Sequence, residues 1–418
     1  MDNELLYWVW LAERLGPANG YTTELLEKFG SAFEVYRADA ELLTGFDKDG
    51  NDAYAKLQNK DLTDATAILK RCEKLDITVI PFSDQQYPER LRSIQKPPTV
   101  LYCLGKMPRF DDLLCVGVVG TRKMSEYGCR AAYRISYGLA KVGAVVVSGM
   151  ALGIDAVATC ATLTADGMAV AVLGSGVDVV YPPRNRKVYN ELKYKGTILS
   201  EYPPSTTPTR YTFPQRNRII SGLCQGTFVV EGDFNSGALI TARAALSQGR
   251  ELFAMPGKIG DDTANGTNTL IRDGAHTVLD VEDILREFMP LYDRSINLSK
   301  LNGRKIDGYD AAVLKKYGVA TDFVITNEEK AADDGQNFVQ KPKKVEAEPK
   351  KPDGSLQKYE ELDPKLREIF ERIPVNGAVT PDRITGDGIS VGDVISGLTM
   401  LEIQGLVESL PGGLYSRK

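Results

Sequence analysis

The chain has 418 residues, 43% of them hydrophobic, and a formal net charge of −5, which suits a protein of two or three domains with sizeable apolar cores. No run of 18 apolar residues occurs, so we expect no membrane insertion. The acidic start MDNELLYWVW is unlike a signal peptide, and the simplest prediction is a cytoplasmic protein.

The first predicted region is helical and covers residues 1–75. Its apolar residues recur at helical spacing in LLYWVWLAERLG, TTELLEKFGS and DLTDATAILKRCEKL. Short helices punctuated by glycine are typical of small SAM-like or helix-hairpin-helix modules. A plain helical cap on the following domain fits the pattern equally well, and both interpretations stay open at this point.

The second region, residues 76–290, predicts an extended Rossmann-like domain, which is a doubly wound parallel α/β sheet. It contains seven short apolar runs, namely LLCVGVVG, AVVVSG, MAVAVLGSG, TILSEYP, GTFVVEG, ELFAMPG and HTVLD. Helix-length segments such as YGCRAAYRISYGLAKVG separate them, and unbroken apolar strands between helices are typical of a parallel sheet covered on both faces. The earlier runs ITVIPF and TVLYCLG predict an additional strand pair leading into this sheet.

The remaining residues predict a linker followed by a small domain. The stretch NEEKAADDGQNFVQKPKKVEAEPKKPDGS mixes charge with proline and alanine, so we predict that residues 291–357 are a partly disordered linker. Residues 358–418 return to helical periodicity and end in LVESLPGGLYS, two short strands about a Pro-Gly-Gly turn. This pattern is typical of a winged-helix module.

Small residues follow the predicted strands at the edge where a parallel sheet binds its ligands. Glycine at such turns lets backbone N–H groups approach a phosphate, and the following helix N-terminus favours an anion. Geometry alone explains a glycine at one turn, whereas glycines at several turns of one edge favour a binding site. The candidate residues at these turns are Gly120, Thr121, Arg122, Ser148, Gly149, Gly174, Ser175 and Gly176.

Positive charge is concentrated between Arg184 and Arg218. This stretch holds eight basic and two acidic residues, a net charge of +6 in a chain whose total is −5. A basic surface on an acidic protein favours a polyanionic partner, and interleaved rings such as Phe213 supply the stacking that single-stranded nucleic acid requires. Arg216, Asn217 and Arg218 open a helix, and we expect their side chains to cluster at the ligand edge.

We predict no catalytic residue, metal site or cofactor. The six cysteines include no C-x-x-C pair and are expected to be reduced packing residues. The single histidine, His276, nearly excludes histidine metal sites and Ser-His-Asp triads. The chain has no P-loop, and GVVGTR lacks the spacing of a dinucleotide fingerprint. Asp155 and Glu231 lie near glycine turns, where a carboxylate acts as a base or, more often, caps a helix or positions an arginine.

Taken in order, these motifs closely resemble the DNA-processing protein A family, known as DprA or Smf. The resemblance covers residues 76–288 and rests on VGVVGTRKMSEYG, VVSGMALGIDAVAT, AVAVLGSGVDVVYPPRNRKVY, LSEYPP, FPQRNRIISGLCQGTFVVEG, SGALITARAALSQGRELFAMPG and GTNTLIRDGA. It implies a non-enzymatic protein that binds single-stranded DNA through its Rossmann-like domain. It further implies homodimers that protect incoming DNA and load the RecA recombinase during natural transformation.

The resemblance also implies which residues hold DNA. The family's G-[ST]-R motif falls on Arg122, and the basic and aromatic residues after the Tyr-Pro-Pro turn fall on Lys187 and Tyr189. Arg184 belongs to the same basic segment. The motif F-P-x-R-N-R-I-I-S-G adds Phe213, Gln215, Arg216, Asn217, Arg218 and Ser221.

A further family motif, G-[LM]-A-R-G-I-D followed by Ala-His, is matched only in part. Gly153 and Asp155 are present and join the candidate DNA-binding residues. Leu152 replaces the family's arginine and Thr159 replaces its histidine. The resemblance therefore assigns no role to those two positions.

Two other functions stay open at this point. A nucleotide hydrolase resembling the lysine-decarboxylase-like phosphoribohydrolases would use Glu231 as acid or base, although this chain has EGDFNSGALIT where those enzymes carry P-G-G-x-G-T-x-x-E. A DNA-binding regulator would work through residues 358–418. That region has about as many acidic as basic residues, which is unfavourable for binding a duplex.

Overall fold

The seven apolar runs predicted as strands lie in one nine-stranded sheet in the computed structural model of the protein. The strands are β1 (Thr78–Pro81), β2 (Val100–Gly105), β3 (Cys115–Val119), β4 (Val145–Ser148), β5 (Ala169–Val172), β6 (Thr197–Ser200), β7 (Gly226–Val229), β8 (Glu251–Ala254) and β9 (His276–Thr277). Their order across the sheet is β1-β2-β6-β5-β4-β3-β7-β8-β9. The seven strands that run across the sheet from β6 through β3 to β9 are all parallel to their neighbours. Strands β1 and β2 are the predicted extra pair, and β2 joins β1 and β6 in antiparallel register. The predicted α/β sheet, doubly wound outward from β3, is confirmed.

The structure describes residues 3–44, 53–301, 309–319, 364–374, 379–384, 394, 397–398, 401, 406–410 and 414–417. The chain divides into two compact units, residues 1–338 and residues 339–418. The predicted boundaries at 75, 290 and 357 stay predictions. Most of the predicted linker, 302–308 and 320–357, lies outside the described residues.

Helices cover both faces of the sheet in the first unit. They are α1 (Asn3–Leu15), α2 (Thr22–Phe29), α3 (Ala32–Arg37), α4 (Ala53–Gln58), α5 (Thr63–Lys74), α6 (Glu89–Arg92), α7 (Glu126–Val142), α8 (Ile154–Thr164), α9 (Arg186–Lys195), α10 (Thr212–Gly222), α11 (Gly237–Ser247), α12 (Asp262–Arg272), α13 (Val281–Tyr292) and α14 (Ala311–Tyr317). None of the helices in the described part of the chain is long and apolar enough to cross a membrane.

Alternation along the strands produces two apolar cores, one on each face. Val116 and Val118 of β3 join the core that includes α7 and α8, while Cys115 and Val119 join the core that includes α10 and α11. Side chains of successive strand residues point to opposite faces, so an unbroken apolar run serves both cores at once. All six cysteines are buried and free.

The helices before β1 pack on the same core as the sheet. Trp8 and Trp10 of α1 are 1% exposed and belong to the core that contains Val116. Helix α1 contacts α3, α4 and α5 as well as β1 and β2. The prediction of helices in this region is met by the five that precede β1, while their assignment to a named module stays a prediction.

The second unit has its own small apolar core. Its described elements are α15 (Pro364–Glu371), α16 (Pro381–Ile384), β10 (Val407–Leu410) and β11 (Leu414–Arg417). Strands β10 and β11 pair in antiparallel register, as LVESLPGGLYS predicts, and Ile369 and Ile384 are buried in the core. The winged-helix assignment stays a prediction, because residues such as 411–413 lie outside the described part of the chain.

Candidate nucleic-acid interface

The carboxyl ends of the parallel strands form one edge of the sheet, and β3 divides this edge into two halves. On one side, the turns after β4, β5 and β6 meet helix α10. We call this the basic half, comprising residues 148–155, 173–187 and 200–218. On the other side, the turns after β7 and β8 meet the start of α12. We call this the cavity half, comprising residues 230–236 and 255–267. Ligands of open α/β sheets bind at such an edge, near the point where the strand order reverses.

The turn after β3 lies between the halves and is held by close backbone contacts. A Cβ on Gly120 would lie 2.5 Å from Cγ1 of Ile154. Gly153 has φ of +73°, and a Cβ there would lie 2.4 Å from the carbonyl oxygen of Thr121. That carbonyl also accepts a hydrogen bond from Ile154 N at 3.2 Å. The two glycines thus fix the turn that presents the exposed side chain of Arg122.

Cations and aromatic rings meet on the surface of the basic half around Phe213. The guanidinium of Arg122 lies 5.5 Å from the centroid of the Phe213 ring, and the Tyr181 ring lies 5.6 Å from it. Arg210 lies 4.7 Å from the ring centroid of Tyr211, which is 64% exposed. We call Arg122, Tyr181, Arg210, Tyr211 and Phe213 the ring-and-cation surface.

The segment after the Tyr-Pro-Pro turn separates into exposed charges and a buried ring. Arg184 and Lys187 are exposed at the start of α9. Tyr189 is 6% exposed, and its hydroxyl donates to the Val177 carbonyl at 2.7 Å. The structure therefore uses Tyr189 to hold the loop that follows β5, while the neighbouring cations face solvent.

Arg216 is buried at the carboxyl ends of β4 and β5. It is 4% exposed, and its guanidinium donates to the carbonyls of Gly149 and Val172. Asp155 accepts hydrogen bonds from Gly149 N at 3.1 Å and Ala151 N at 3.3 Å. Burial lowers the pKa of Arg216 to about 10 and raises the pKa of Asp155, while the attraction between the two charges opposes both changes. A Cβ on Gly149 would lie 2.3 Å from the guanidinium, which explains the glycine at this turn.

Arg218 is the second inward-pointing arginine of α10. Its guanidinium pairs with the Glu201 carboxylate, and the two side chains are 13% and 3% exposed. Glu201 also accepts a hydrogen bond from Ala18 N at 3.2 Å, which ties the α1–α2 turn to the end of β6. Burial raises the pKa of Glu201, although Arg218 acts to lower it. The sequence predicts that Arg216 and Arg218 cluster at the ligand edge. The structure places both there but turns them into the protein, where their guanidinium groups bind internal acceptors.

The other predicted residues mostly bond within the protein. Gln215 accepts from the Tyr202 hydroxyl at 2.8 Å, Asn217 donates to Gly237 O at 3.3 Å, and Ser148 donates to Val118 O at 2.7 Å. Ser175 and Ser221 are buried and donate to nearby carbonyls.

The glycines after β5 are required by packing. A Cβ on Gly176 would lie 2.7 Å from Pro203 O, and one on Gly174 would lie 3.2 Å from the Phe213 ring. Thr159, which replaces the family's histidine, donates to Asp155 O at 2.9 Å.

In the cavity half, a carboxylate occupies the helix N-terminus where a Rossmann fold binds phosphate. Glu231 accepts hydrogen bonds from Ser125 N at 2.9 Å and from the Ser125 hydroxyl, at the start of α7. A Cβ on Gly128 would lie 2.1 Å from this carboxylate. Burial raises the pKa of Glu231, and hydrogen bonds from Ser125 and Thr263 act to lower it. A side chain held this way caps the helix.

Sequence reasoning allowed that Glu231 or Asp155 caps a helix or positions an arginine, but it named no partner for either carboxylate. The pairing of Glu231 with Ser125 joins residues 106 positions apart. The only local signal is a small residue, Gly128, three positions after the capping serine in SEYG.

Comparisons with known proteins agree on one family. A sequence model described as DNA recombination-mediator protein A matches residues 78–289. Protein Smf of Synechocystis sp. is 35% identical over 340 residues, 80% of this chain and 79% of that protein. DNA processing protein DprA of Bacillus subtilis is 40% identical over 220 residues, 53% of this chain and 74% of that protein. The X-ray structure of DprA from Streptococcus pneumoniae superposes with a TM-score of 0.59 at 30% identity, over 68% of this chain and 97% of that chain.

Proposed function

Since this chain belongs to the DNA recombination-mediator protein A family, we propose that it binds single-stranded DNA at the basic half of the sheet edge. The juxtaposition of Arg122 with Phe213 carries the proposal. A guanidinium 5.5 Å from a ring centroid offers a phosphate and a base their preferred partners side by side.

Exposed cations continue the ring-and-cation surface on either side. Arg184, Lys187 and Arg210 are exposed in the basic half, and each neutralised phosphate strengthens binding at low salt. Stacking on Phe213 and Tyr211 tolerates any base because every base has a π-face. The protein should therefore prefer single strands to duplexes and show little sequence preference.

The buried members of the predicted site support this surface in our proposal. Arg216 bonds strand-end carbonyls and Arg218 pairs with Glu201, so both shape the edge without reaching DNA. Contact with the strand falls to the exposed Arg122, Arg184 and Lys187 and to the half-buried Phe213.

Fluorescence anisotropy of a labelled oligonucleotide, titrated at two salt concentrations with a duplex competitor, tests the proposal. We expect Arg122→Ala to weaken binding by about 1–2 kcal/mol, roughly 5- to 30-fold. The slope of log affinity against log salt should fall by about 0.7, the value for one phosphate of a single strand.

Arg109→Ala is the matched control. Arg109 is 88% exposed and pairs only at the surface with Asp112, and it precedes β3, at the opposite edge of the sheet. Its removal should leave the affinity within twofold. Equal effects of the two substitutions, or displacement of the oligonucleotide by a duplex at equal affinity, would contradict the assignment.

We further propose that the bound strand is protected and passed to RecA, that the working form is a homodimer, and that the setting is natural transformation. This role works by binding alone and needs no catalytic group. RecA nucleation on a strand coated with single-strand-binding protein can be measured by the rate of ATP hydrolysis, and this protein should make it faster. The Arg122→Ala variant should not accelerate nucleation, whereas the Arg109→Ala variant should. Sedimentation at micromolar concentration tests the dimer.

A further inference from the structure

The cavity half contains a cavity that the proposed DNA contacts do not use. Its volume is about 390 Å³, within the ~300–1,000 Å³ range of small-molecule sites. It lies beyond the carboxyl ends of β7 and β8, on the far side of β3 from the ring-and-cation surface. This is the side of β3 on which the strand order reverses, where open α/β sheets hold their ligands.

The floor of the cavity is apolar and its rim is polar. Val230, Met255 and Ala264 line the floor and are buried. At the rim, the ring of Tyr127 is 49% exposed, and its hydroxyl is held by the Pro256 carbonyl at 2.9 Å. A fixed, half-exposed ring above an apolar floor suits a flat, uncharged group.

The charged groups at the cavity favour hydrogen-bond donors over anions. Two carboxylates line it, Glu231 and Asp261, against one ammonium, Lys258. Asp261 precedes α12, yet its side chain makes no capping hydrogen bond. The N-terminus of α7 is neutralised by Glu231, so the usual phosphate position is filled from within.

We propose that this cavity binds a nucleoside, with the base over the apolar floor beside Tyr127 and the sugar hydroxyls donating to Asp261. A heterocycle with hydroxyl donors and no phosphate matches an apolar floor, a ring and an acceptor at the rim. The nucleoside is either free in solution or the terminal nucleoside of a bound strand, whose phosphodiester would then lie outside the cavity. Thr121 N donates to Glu231 O at 2.8 Å, so the cavity adjoins the β3 turn that presents Arg122.

Saturation-transfer NMR and calorimetry on the full chain test the proposal with adenosine and adenosine 5′-monophosphate as probes. We expect adenosine to bind with a dissociation constant on the order of 0.1–1 mM, as a small ligand with few polar contacts would. The monophosphate should bind at least fivefold more weakly because of the two carboxylates. Asp261→Asn should weaken adenosine binding about five- to tenfold, by loss of a charge-assisted hydrogen bond.

Asp262→Asn is the matched control, because Asp262 is exposed at the next position and does not line the cavity. It should leave adenosine affinity within twofold, and both variants should keep the parent melting temperature. Absence of adenosine binding at millimolar concentration, tighter binding of the monophosphate, or equal effects of the two substitutions would overturn the proposal.

A second arm repeats the adenosine titration on protein saturated with an oligonucleotide. Loss of adenosine binding would assign the cavity to the end of the strand, and retention would assign it to a free nucleoside. Arg122→Ala should leave adenosine binding unchanged in the DNA-free protein. The proposal of a nucleoside site and the proposal of a DNA-binding surface can therefore be contradicted independently of each other.

Discussion

The basic half and the cavity half share one sheet edge, but the basic half buries arginines beside its carboxylates whereas the cavity half buries the Glu231 carboxylate. In the basic half, the Arg216 guanidinium satisfies carbonyl groups at the ends of β4 and β5. In the cavity half, the Glu231 carboxylate satisfies N–H and hydroxyl donors at the start of α7. Strand-end carbonyls need donors and a helix N-terminus needs acceptors, so the backbone dictates the sign of each internal charge.

The charges left at the surface then decide what each half can hold. Arg184 and Lys187 of the basic half and Arg122 beside it remain exposed, whereas the cavity half exposes Asp261 as well as Lys258. The first pattern favours a phosphodiester chain and the second an uncharged donor. One edge of the sheet thus presents two kinds of binding surface. Substitutions at buried and at exposed residues of each half test whether the two halves work separately.

The largest expected effect is on stability, from Arg218→Ala in the basic half. Removing this guanidinium leaves the Glu201 carboxylate buried, with Ala18 N as its remaining donor among the described residues. Breaking a buried pair in this way costs about 3–5 kcal/mol of the free energy of unfolding. Urea denaturation followed by circular dichroism measures it.

Arg272→Ala provides the control for that experiment, since the Arg272–Asp273 pair is exposed and should contribute at most about 1 kcal/mol. If Arg218→Ala kept the parent stability and lost DNA affinity alone, Arg218 would be a surface contact.

A smaller loss of stability is expected from Gly128→Ala in the cavity half. The added Cβ would lie 2.1 Å from the Glu231 carboxylate, and such overpacking costs about 1–3 kcal/mol. DNA affinity should stay within twofold. Gly237→Ala is the matched control, because a Cβ at Gly237 meets no atom within 4 Å. A stable Gly128→Ala variant would mean that Glu231 is free to leave the helix N-terminus.

How far the sequence reaches can be judged from β3 and its turn. The run LLCVGVVG is apolar without a break, so it predicts a strand buried on both faces, and Val116 and Val119 indeed lie in opposite cores. Local periodicity carries this information, and the glycine that ends the run marks the turn. The close approach of Ile154 to Gly120 is a tertiary contact that periodicity does not predict.

The direction of each arginine could not be predicted in this way. Arg216 and Arg218 are two residues apart in one motif. Neither the motif nor the helical periodicity predicts which groups their side chains bind. Gly149 and Val172 are 67 and 44 positions away from Arg216, and Glu201 lies 17 positions before Arg218. Only the assembled sheet brings those acceptors to α10.

The contribution of stacking to DNA binding is expected to be moderate and independent of salt. Phe213→Leu keeps the apolar volume but removes the ring beside Arg122, and should weaken binding of a single strand by roughly 1–2 kcal/mol. Because no charge is lost, the salt slope should not change. Phe234→Leu removes a ring that is 54% exposed in the cavity half and should have no effect. A changed salt slope in Phe213→Leu would show that the ring acts by positioning Arg122.

The smallest expected effect is the pH dependence of stability that Glu231 contributes in the cavity half. Burial raises the pKa of Glu231 above 4.5, so the folded protein holds this proton more tightly than the unfolded chain. The group therefore contributes stability that is fully present below about pH 4.5 and is lost as pH rises through the folded-state pKa.

Glu231→Gln cannot titrate, so its stability should increase relative to the parent between about pH 4 and pH 7. Urea denaturation across that range measures the difference between the two proteins. DNA affinity of the variant at neutral pH should stay within twofold, because Glu231 lies across β3 from the ring-and-cation surface. If the difference had the opposite sign, the hydrogen bonds from Ser125 and Thr263 would outweigh burial, and folding would lower the pKa of Glu231 instead of raising it.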